Sequence, residues 1–174
     1  VIGRTAGEER DSLPERGSWY LSEVEEDLIR KVTEYFPKTI VVLNTANIID
    51  MSWVKTYQPS SVLYIWQGGM EGGNAAADIL LGRVNPCGKL SDSIAASLSD
   101  YPSDSNFGDK KENVYQEDIY VGYRYFETFA PDKILYPFGF GLSYTKFEWQ
   151  MMDSQMFDVN GDVCIEVCVK NVGS

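Results

Sequence analysis

The first clear pattern in the chain is helical and lies between residues 22 and 36. Ser22 and Glu25 have the spacing of a capping box, in which the two residues satisfy each other's free backbone amides at a helix N-terminus. Pro37 then ends the run. Apolar residues recur at helical spacing between these limits, at Val24, Leu28, Ile29 and Val32. The pattern predicts an amphipathic helix over residues 22–36.

Two short, uninterrupted apolar runs follow, at residues 39–43 and 61–66. Runs of this kind, rich in β-branched residues, are typical of strands buried on both faces of a parallel sheet. A short helix capped by Asp50 is predicted between them over residues 50–57, and another after them over residues 74–81. The alternation of helices and strands predicts an α/β fold, a layered sandwich with a mainly parallel sheet.

The pattern changes in the second half of the chain. Turn formers and polar residues dominate residues 85–113, which we expect to form a long, irregular surface segment. After residue 146, apolar and polar positions alternate in two runs separated by an Asn160-Gly161 pair, which predicts a hairpin of antiparallel strands with one solvated face.

These changes divide the chain into three predicted parts. Residues 1–136 form the α/β domain, residues 137–146 form a linker, and residues 147–174 begin a second domain. Two or three strands do not make a stable sandwich by themselves, so this second domain is expected to be truncated.

Charge and composition exclude several classes of function. The net charge of −11 repels phosphate backbones, so we expect no nucleic-acid partner. No apolar run has the length of a membrane span, so no membrane partner is expected. The absence of histidine excludes a Ser-His-Asp centre and a His-ligated metal within the chain. We expect neither a metal nor another cofactor, and proton transfer must use carboxylates, Lys or Tyr.

The cysteines indicate a reducing compartment. Their number, three, is odd, and Cys164 and Cys168 lie about 13 Å apart if they share a strand, too far for a disulfide. We therefore expect a cytoplasmic protein.

A glycine-rich turn at residues 68–73 follows the second apolar run, where nucleotide-binding loops lie in α/β folds. Met70 and Glu71 stand where a dinucleotide fingerprint needs its second glycine, and Asn74-Ala75 stands where a P-loop needs Lys-Ser/Thr. The turn therefore indicates close packing of the chain rather than phosphate binding. Aromatic residues could stack on sugars, but Trp66, inside the apolar run, is expected in the core.

Acidic pairs are the remaining candidates for chemistry, and they occur at Glu8-Glu9, Glu25-Glu26 and Glu117-Asp118. Glu25-Glu26 lies in the first turn of a predicted helix, where the dipole favours negative charge. Glu117-Asp118 flanks an aromatic stretch and fits a polar rim. Glu8 has no such explanation, because it follows an apolar start and precedes Pro14 without capping a helix. Composition alone still favours a solvated loop at this position.

Five segments, read in order, resemble family 3 glycoside hydrolases: residues 6–11 (AGEERD), 66–71 (WQGGME), 82–90 (GRVNPCGKL), 117–125 (EDIYVGYRY) and 137–145 (PFGFGLSYT). The resemblance implies the later part of an α/β sandwich domain, a linker and the first strands of a fibronectin type III-like domain. One departure is Leu90-Ser91-Asp92, where many relatives have Leu-Pro.

The resemblance also implies a mechanism. Family members hydrolyse β-glycosides with retention, using an Asp nucleophile from a TIM barrel and, in many members, a Glu acid/base on a loop of the sandwich domain. Glu8 occupies the acid/base position of the family's Gly-Glu-Gly-x-Asp type motif. Glu9 replaces the second glycine, but Gly7 and Asp11 favour Glu8.

The expected function is hydrolysis of terminal β-glycosidic bonds, foremost β-D-glucosides, with Glu8 as general acid/base. The expected partners are a β-glucoside or oligosaccharide substrate and the TIM barrel of the same enzyme, because the chain is too short to hold such a barrel and supplies no nucleophile. A homo-oligomer is left open. The alternative is a non-catalytic carbohydrate-binding or inter-domain scaffold.

Overall fold

The computed structural model describes residues 1–4, 12–157 and 163–173. Its helices are α1 (Glu23–Tyr35), α2 (Ser52–Tyr57), α3 (Gly72–Leu80) and α4 (Tyr123–Phe129). Its strands are β1 (Ile2–Gly3), β2 (Ile40–Asn44), β3 (Ser61–Tyr64), β4 (Ile94–Ala95), β5 (Ile134–Tyr136), β6 (Phe147–Phe157) and β7 (Val163–Asn171). Within the part of the chain so described, no helix combines the length and hydrophobicity needed to span a membrane.

The centre of the fold is the parallel sheet predicted from the apolar runs. Its strand order is β1-β2-β3, with Ile2 paired to Leu43 and Leu43 to Tyr64. β2 is the middle strand, and its inner residues 41–43 are buried. The core around it includes side chains from the sheet, α1, α2, β4 and the adjoining loops, namely Ile2, Leu21, Ile29, Val41, Leu43, Ile49, Met51, Trp53 and Ile94. The predicted α/β fold is therefore confirmed.

Helix α1 begins and ends as its sequence predicts. The Glu25 amide donates to the Ser22 hydroxyl at 3.3 Å, and the Ser22 amide donates to the Glu25 carboxylate at 2.8 Å, which completes the capping box. Asp50 likewise accepts hydrogen bonds from the amide and the hydroxyl of Ser52, at 3.0 and 2.7 Å. Asp50 lies two residues before Ser52, the first helical residue, so α2 is shorter than the predicted span of residues 50–57.

Residues 85–113 differ from the prediction of a wholly irregular segment. Ile94 and Ala95 are buried and form β4, which pairs antiparallel with β5, and residues 98–100 form a 3₁₀ turn. A strand of two residues is too short to show a periodicity of either kind.

The predicted linker, residues 137–146, is hydrogen bonded back onto residues 85–93. The Leu90 amide donates to the Phe140 carbonyl at 2.8 Å, and the Gly139 amide donates to the Leu90 carbonyl at 2.7 Å. A Cβ on Gly141 would lie 2.5 Å from the Gly88 carbonyl oxygen, so the two backbones approach too closely for a side chain. Two of the segments that carry the family resemblance therefore contact each other.

β6 and β7 form the predicted antiparallel hairpin. Trp149 pairs with Val169 and Met151 with Val167, so apolar residues share one face, and that face is exposed. The predicted turn at Asn160-Gly161 lies outside the described residues. The fibronectin type III-like identity and the three domain boundaries stay predictions.

Candidate active site

The carboxyl ends of the three parallel strands meet at one edge of the sheet. The register pairs Gly3 with Asn44 and Leu43 with Tyr64, so β1, β2 and β3 end side by side. Ligands of open α/β sheets bind outside this edge. The segment that follows β1 contains Glu8, which lies outside the described residues together with the rest of residues 5–11.

The chain is hydrogen bonded to β2 before residues 5–11 and to the loop after β2 beyond them. Before them, the Arg4 amide donates to the Asn44 carbonyl at 3.1 Å, which extends the β1–β2 pairing. After them, the Leu13 amide donates to the Ser18 hydroxyl at 2.9 Å, and the Trp19 amide donates to the Leu13 carbonyl at 3.1 Å. The Asp50 amide in turn donates to the Trp19 carbonyl at 3.0 Å. Arg4 is thus bonded to β2 at the carboxyl edge of the sheet, and Trp19 is bonded to the loop between β2 and α2.

Arg4 bonds the two flanks to helix α1. Its guanidinium makes two hydrogen bonds to the Glu25 carboxylate, at 2.5 and 2.8 Å, and its Nε donates to the Ser18 carbonyl at 3.1 Å. Burial raises the pKa of Glu25, but the hydrogen bonds from Arg4 and Ser22 and the Arg4 charge together lower that pKa below its usual value. Glu25 is therefore held as a carboxylate.

This depressed pKa predicts an acid-sensitive contribution to stability. A carboxyl group whose folded pKa lies below its unfolded value of about 4.3 stabilises the fold above that value and stops doing so as pH falls through the folded pKa. Glu25→Gln is expected to lower the free energy of unfolding at pH 7 by about 1–3 kcal/mol, because it leaves Arg4 incompletely bonded. The difference between variant and wild type should shrink from pH 5 to pH 3 in denaturant titrations.

The control is Glu34→Gln on the same helix. Glu34 pairs with Arg30 at the surface, where both side chains are about half exposed, so its loss is expected to cost less than about 1 kcal/mol at any pH. A Glu25→Gln difference that is independent of pH would contradict the assigned pKa direction.

The segments after β2 and β3 are joined by Thr45 and Tyr64. The buried Thr45 hydroxyl lies 2.7 Å from the Tyr64 hydroxyl oxygen and 2.9 Å from the Asn47 carbonyl oxygen. The Tyr64 hydroxyl also donates to the Asn47 carbonyl. Burial raises the pKa of Tyr64, so the group remains a neutral donor.

Trp66 lies beyond the end of β3, so the prediction that it is a core residue is wrong. Its φ of 52° is in the left-handed region rather than the extended one, and its half-buried ring packs on the Tyr64 ring at 4.3 Å with a tilt of 38°. The glycine-rich turn follows, and a Cβ on Gly68 would lie 2.6 Å from the Gly72 Cα. Close packing therefore explains this glycine, as the sequence predicts.

An aromatic ladder supports the far flank of the candidate catalytic segment. Trp19 and Tyr101 pack edge to face at 5.8 Å, and Tyr101 and Phe126 at 5.1 Å. The Tyr101 hydroxyl donates to the Ser93 carbonyl at 3.2 Å and accepts from the Ala95 amide at 3.1 Å. Burial raises the pKa of Tyr101 to about 12. The sequence gives no sign of this role, because a single half-buried ring in an irregular segment leaves no periodicity.

Comparison with known proteins assigns this domain. The family model described as the glycosyl hydrolase family 3 C-terminal domain matches residues 1–123, well over half of the chain. The chain belongs to this family. The match confirms the family 3 resemblance that the ordered segments indicate.

Two relatives of the family 3 chain illustrate how much of a whole protein it represents. A β-glucosidase of Ruminococcus albus is 49% identical over the whole chain, which covers 18% of that protein. β-Glucosidase A of Butyrivibrio fibrisolvens is 53% identical over 80% of the chain, which covers 17% of that protein. The chain thus spans less than a fifth of the length of these relatives.

Solved structures share the family 3 fold. A β-glucosidase from Paenibacillus barengoltzii superposes with a TM-score of 0.89 at 49% identity, over 99% of this chain and 19% of that one. The β-glucosidase of Kluyveromyces marxianus in complex with glucose superposes with a TM-score of 0.79 at 39% identity, over 91% of this chain and 19% of that one.

Other predicted features of the family 3 chain have different outcomes. The acid/base assignment of Glu8 stays a prediction, as does the preference for Glu8 over Glu9. Asp118, in the acidic pair taken as a polar rim, is exposed and has a φ of 48°. Residues 1–4, 12–157 and 163–173 contain no group of three or more His, Cys, Asp or Glu side chains placed to hold a metal ion.

Proposed function

We propose that this chain supplies the general acid/base, Glu8, of a retaining β-glucosidase, and that a TIM barrel outside the 174 residues supplies the Asp nucleophile. The observation that carries the proposal is the 49% identity, over the whole chain, to the Ruminococcus albus β-glucosidase. The hydrogen bond of Arg4 to Asn44 at the carboxyl edge supports it, because Glu8 lies only four residues after Arg4. Four residues of chain extend at most about 14 Å.

The proposed reaction has two steps. In the first, the Asp carboxylate forms a bond to the anomeric carbon while the Glu8 carboxylic acid gives its proton to the departing glycosidic oxygen. In the second, the Glu8 carboxylate removes a proton from water, and the water oxygen replaces Asp at the anomeric carbon. The two carboxyl groups must lie about 5–5.5 Å apart for this retaining course.

Glu8 must be protonated before the first step, which requires a raised pKa. The ionised Asp and the exclusion of water by the bound sugar both disfavour a second negative charge and so raise that pKa. Both effects come from the barrel and the substrate. The 174-residue chain alone is therefore proposed to be inactive.

The test is the activity of the complete gene product on a panel of aryl β-glycosides, with the 174-residue chain as control. We expect hydrolysis with retention, fastest on the β-glucoside, and no hydrolysis by the chain alone. A complete product that hydrolyses none of the panel overturns the proposal and favours the non-catalytic scaffold.

The proposed partners are a β-glucoside or oligosaccharide and the barrel of the same enzyme, with a homo-oligomer left open. The proposed compartment is the cytoplasm. The free, exposed thiols of Cys87 and Cys168 support a reducing environment, because exposed thiols are readily oxidised elsewhere.

A further inference from the structure

Arg4 spans the two flanks of the segment that contains Glu8. It directly precedes residues 5–11, and its side chain reaches the chain that follows them, at the Ser18 carbonyl (3.1 Å) and the Tyr20 carbonyl (3.4 Å). The guanidinium also donates to the Gly3 carbonyl at 3.0 Å. One side chain therefore bonds Gly3 at the end of β1, the turn after the segment and, through Glu25, helix α1.

Glu25 is a rigid partner for Arg4. Its carboxylate accepts from the Ser22 amide at 2.8 Å and from the Ser22 hydroxyl at 3.0 Å, so the capping box fixes its rotamer. Two parallel N–H···O bonds from a planar guanidinium then fix the direction of Arg4 as well. An ammonium group in place of the guanidinium cannot reproduce this fork and also reach the Ser18 carbonyl.

The Arg4–Glu25 pair differs from an ordinary surface ion pair. The side chains of Arg4 and Glu25 are 13% and 22% exposed, whereas those of the neighbouring pair, Arg16 and Glu26, are 55% and 37% exposed. Surface ion pairs contribute little to stability and hardly restrict the positions of their side chains, since water competes for their hydrogen bonds. The capping box alone is sufficient to begin α1, so helix formation does not account for the contacts of Arg4.

We propose that Arg4, clamped by Glu25, is a positioning residue for the acid/base Glu8. The inference rests on the proposed function of Glu8. Proton transfer in the transition state depends on the position of the acid, and a misplacement of 1 Å costs about 10²-fold. The Arg4 guanidinium bonds the chain on both sides of residues 5–11 and so fixes the distance between the two ends from which Glu8 is presented.

The test compares Arg4→Lys with wild type in the complete enzyme, using an alkyl β-glucoside and 2,4-dinitrophenyl β-glucoside. We expect kcat/KM for the alkyl glucoside to fall by about 10–10²-fold, because its leaving oxygen needs the proton of a well-placed acid. For the dinitrophenyl glucoside, whose leaving group needs no proton, kcat/KM should remain nearly unchanged. Glu25→Gln, which opens the same pair from the helix, should give the same selective loss.

Arg16→Lys is the matched control and should leave kcat/KM for both substrates unchanged. If Arg4 has only a structural role, Arg4→Lys lowers kcat/KM for both substrates by the same factor. That factor equals the fraction of enzyme that remains active, which the dinitrophenolate burst measures. Equal losses would therefore overturn the inference, and so would no loss on either substrate.

The Glu8→Ala background separates this inference from the proposed function. If Arg4 acts through Glu8, then adding Arg4→Lys to Glu8→Ala causes no further loss on the alkyl glucoside. A further 10–10²-fold loss in that background overturns the inference but leaves the function of Glu8 intact. If Glu8→Ala itself fails to lower alkyl glucoside hydrolysis selectively, the proposed function fails, and the inference fails with it.

Discussion

Glu8→Ala in the complete enzyme is expected to lower kcat/KM for an alkyl β-glucoside by about 10²–10⁴-fold. An alkoxide is a poor leaving group, so its departure depends on the proton that Glu8 donates. Dinitrophenolate leaves without protonation, and kcat/KM for that glucoside should change little. Its kcat should fall, because the second step loses the base that activates water, and azide, a nucleophile that needs no base, should restore it.

Glu9→Ala is the control for the Glu8 prediction, because Glu9 is the adjacent carboxylate and replaces a family glycine. Full activity on both substrates is expected from it. If Glu9→Ala instead gives the selective loss and the azide rescue, the acid/base is Glu9. If Glu8→Ala lowers kcat/KM for both substrates equally, Glu8 has a structural role and its assignment as the acid/base is wrong.

The fold was predictable where its signals are local. The Ser22/Glu25 capping box and the β-branched run of β2 each occupy a few consecutive residues, and the structure has α1 and a buried parallel strand at those places. β4 has no local signal, because its two residues pair with β5, as Ile94 with Tyr136 and Ala95 with Ile134. The sequence misplaces Trp66, because an apolar run does not show where the backbone turns out of the strand.

The candidate site was less predictable than the fold. Glu8 stands out only through the ordered family segments, since composition favours a solvated glutamate there. The sequence explains Glu25 by the capping box with Ser22 and by the helix dipole, and nothing in it shows that Arg4, 21 positions earlier, binds the Glu25 carboxylate. Contacts between distant residues depend on the completed sheet, which brings the end of β1 beside the N-terminus of α1.

The chain's stability offers a second large expected effect: Phe126→Ala should lower the free energy of unfolding by about 3–5 kcal/mol. Phe126 is 1% exposed and packs edge to face on Tyr101 at 5.1 Å, so its removal leaves a cavity and an unsupported ring. Equilibrium denaturation followed by tryptophan fluorescence is the measurement, because Trp19 lies at the other end of the same ladder.

Phe129→Ala is the matched control, on the same short helix. Phe129 is 59% exposed, so its removal creates no closed cavity and should cost less than about 1.5 kcal/mol. Equal losses for the two variants would show that the Trp19–Tyr101–Phe126 ladder is not a buried structural unit. A selective loss at Phe126 would show that the ladder, which joins Trp19 on the far flank to Tyr101 of residues 85–113, is a structural unit of the fold.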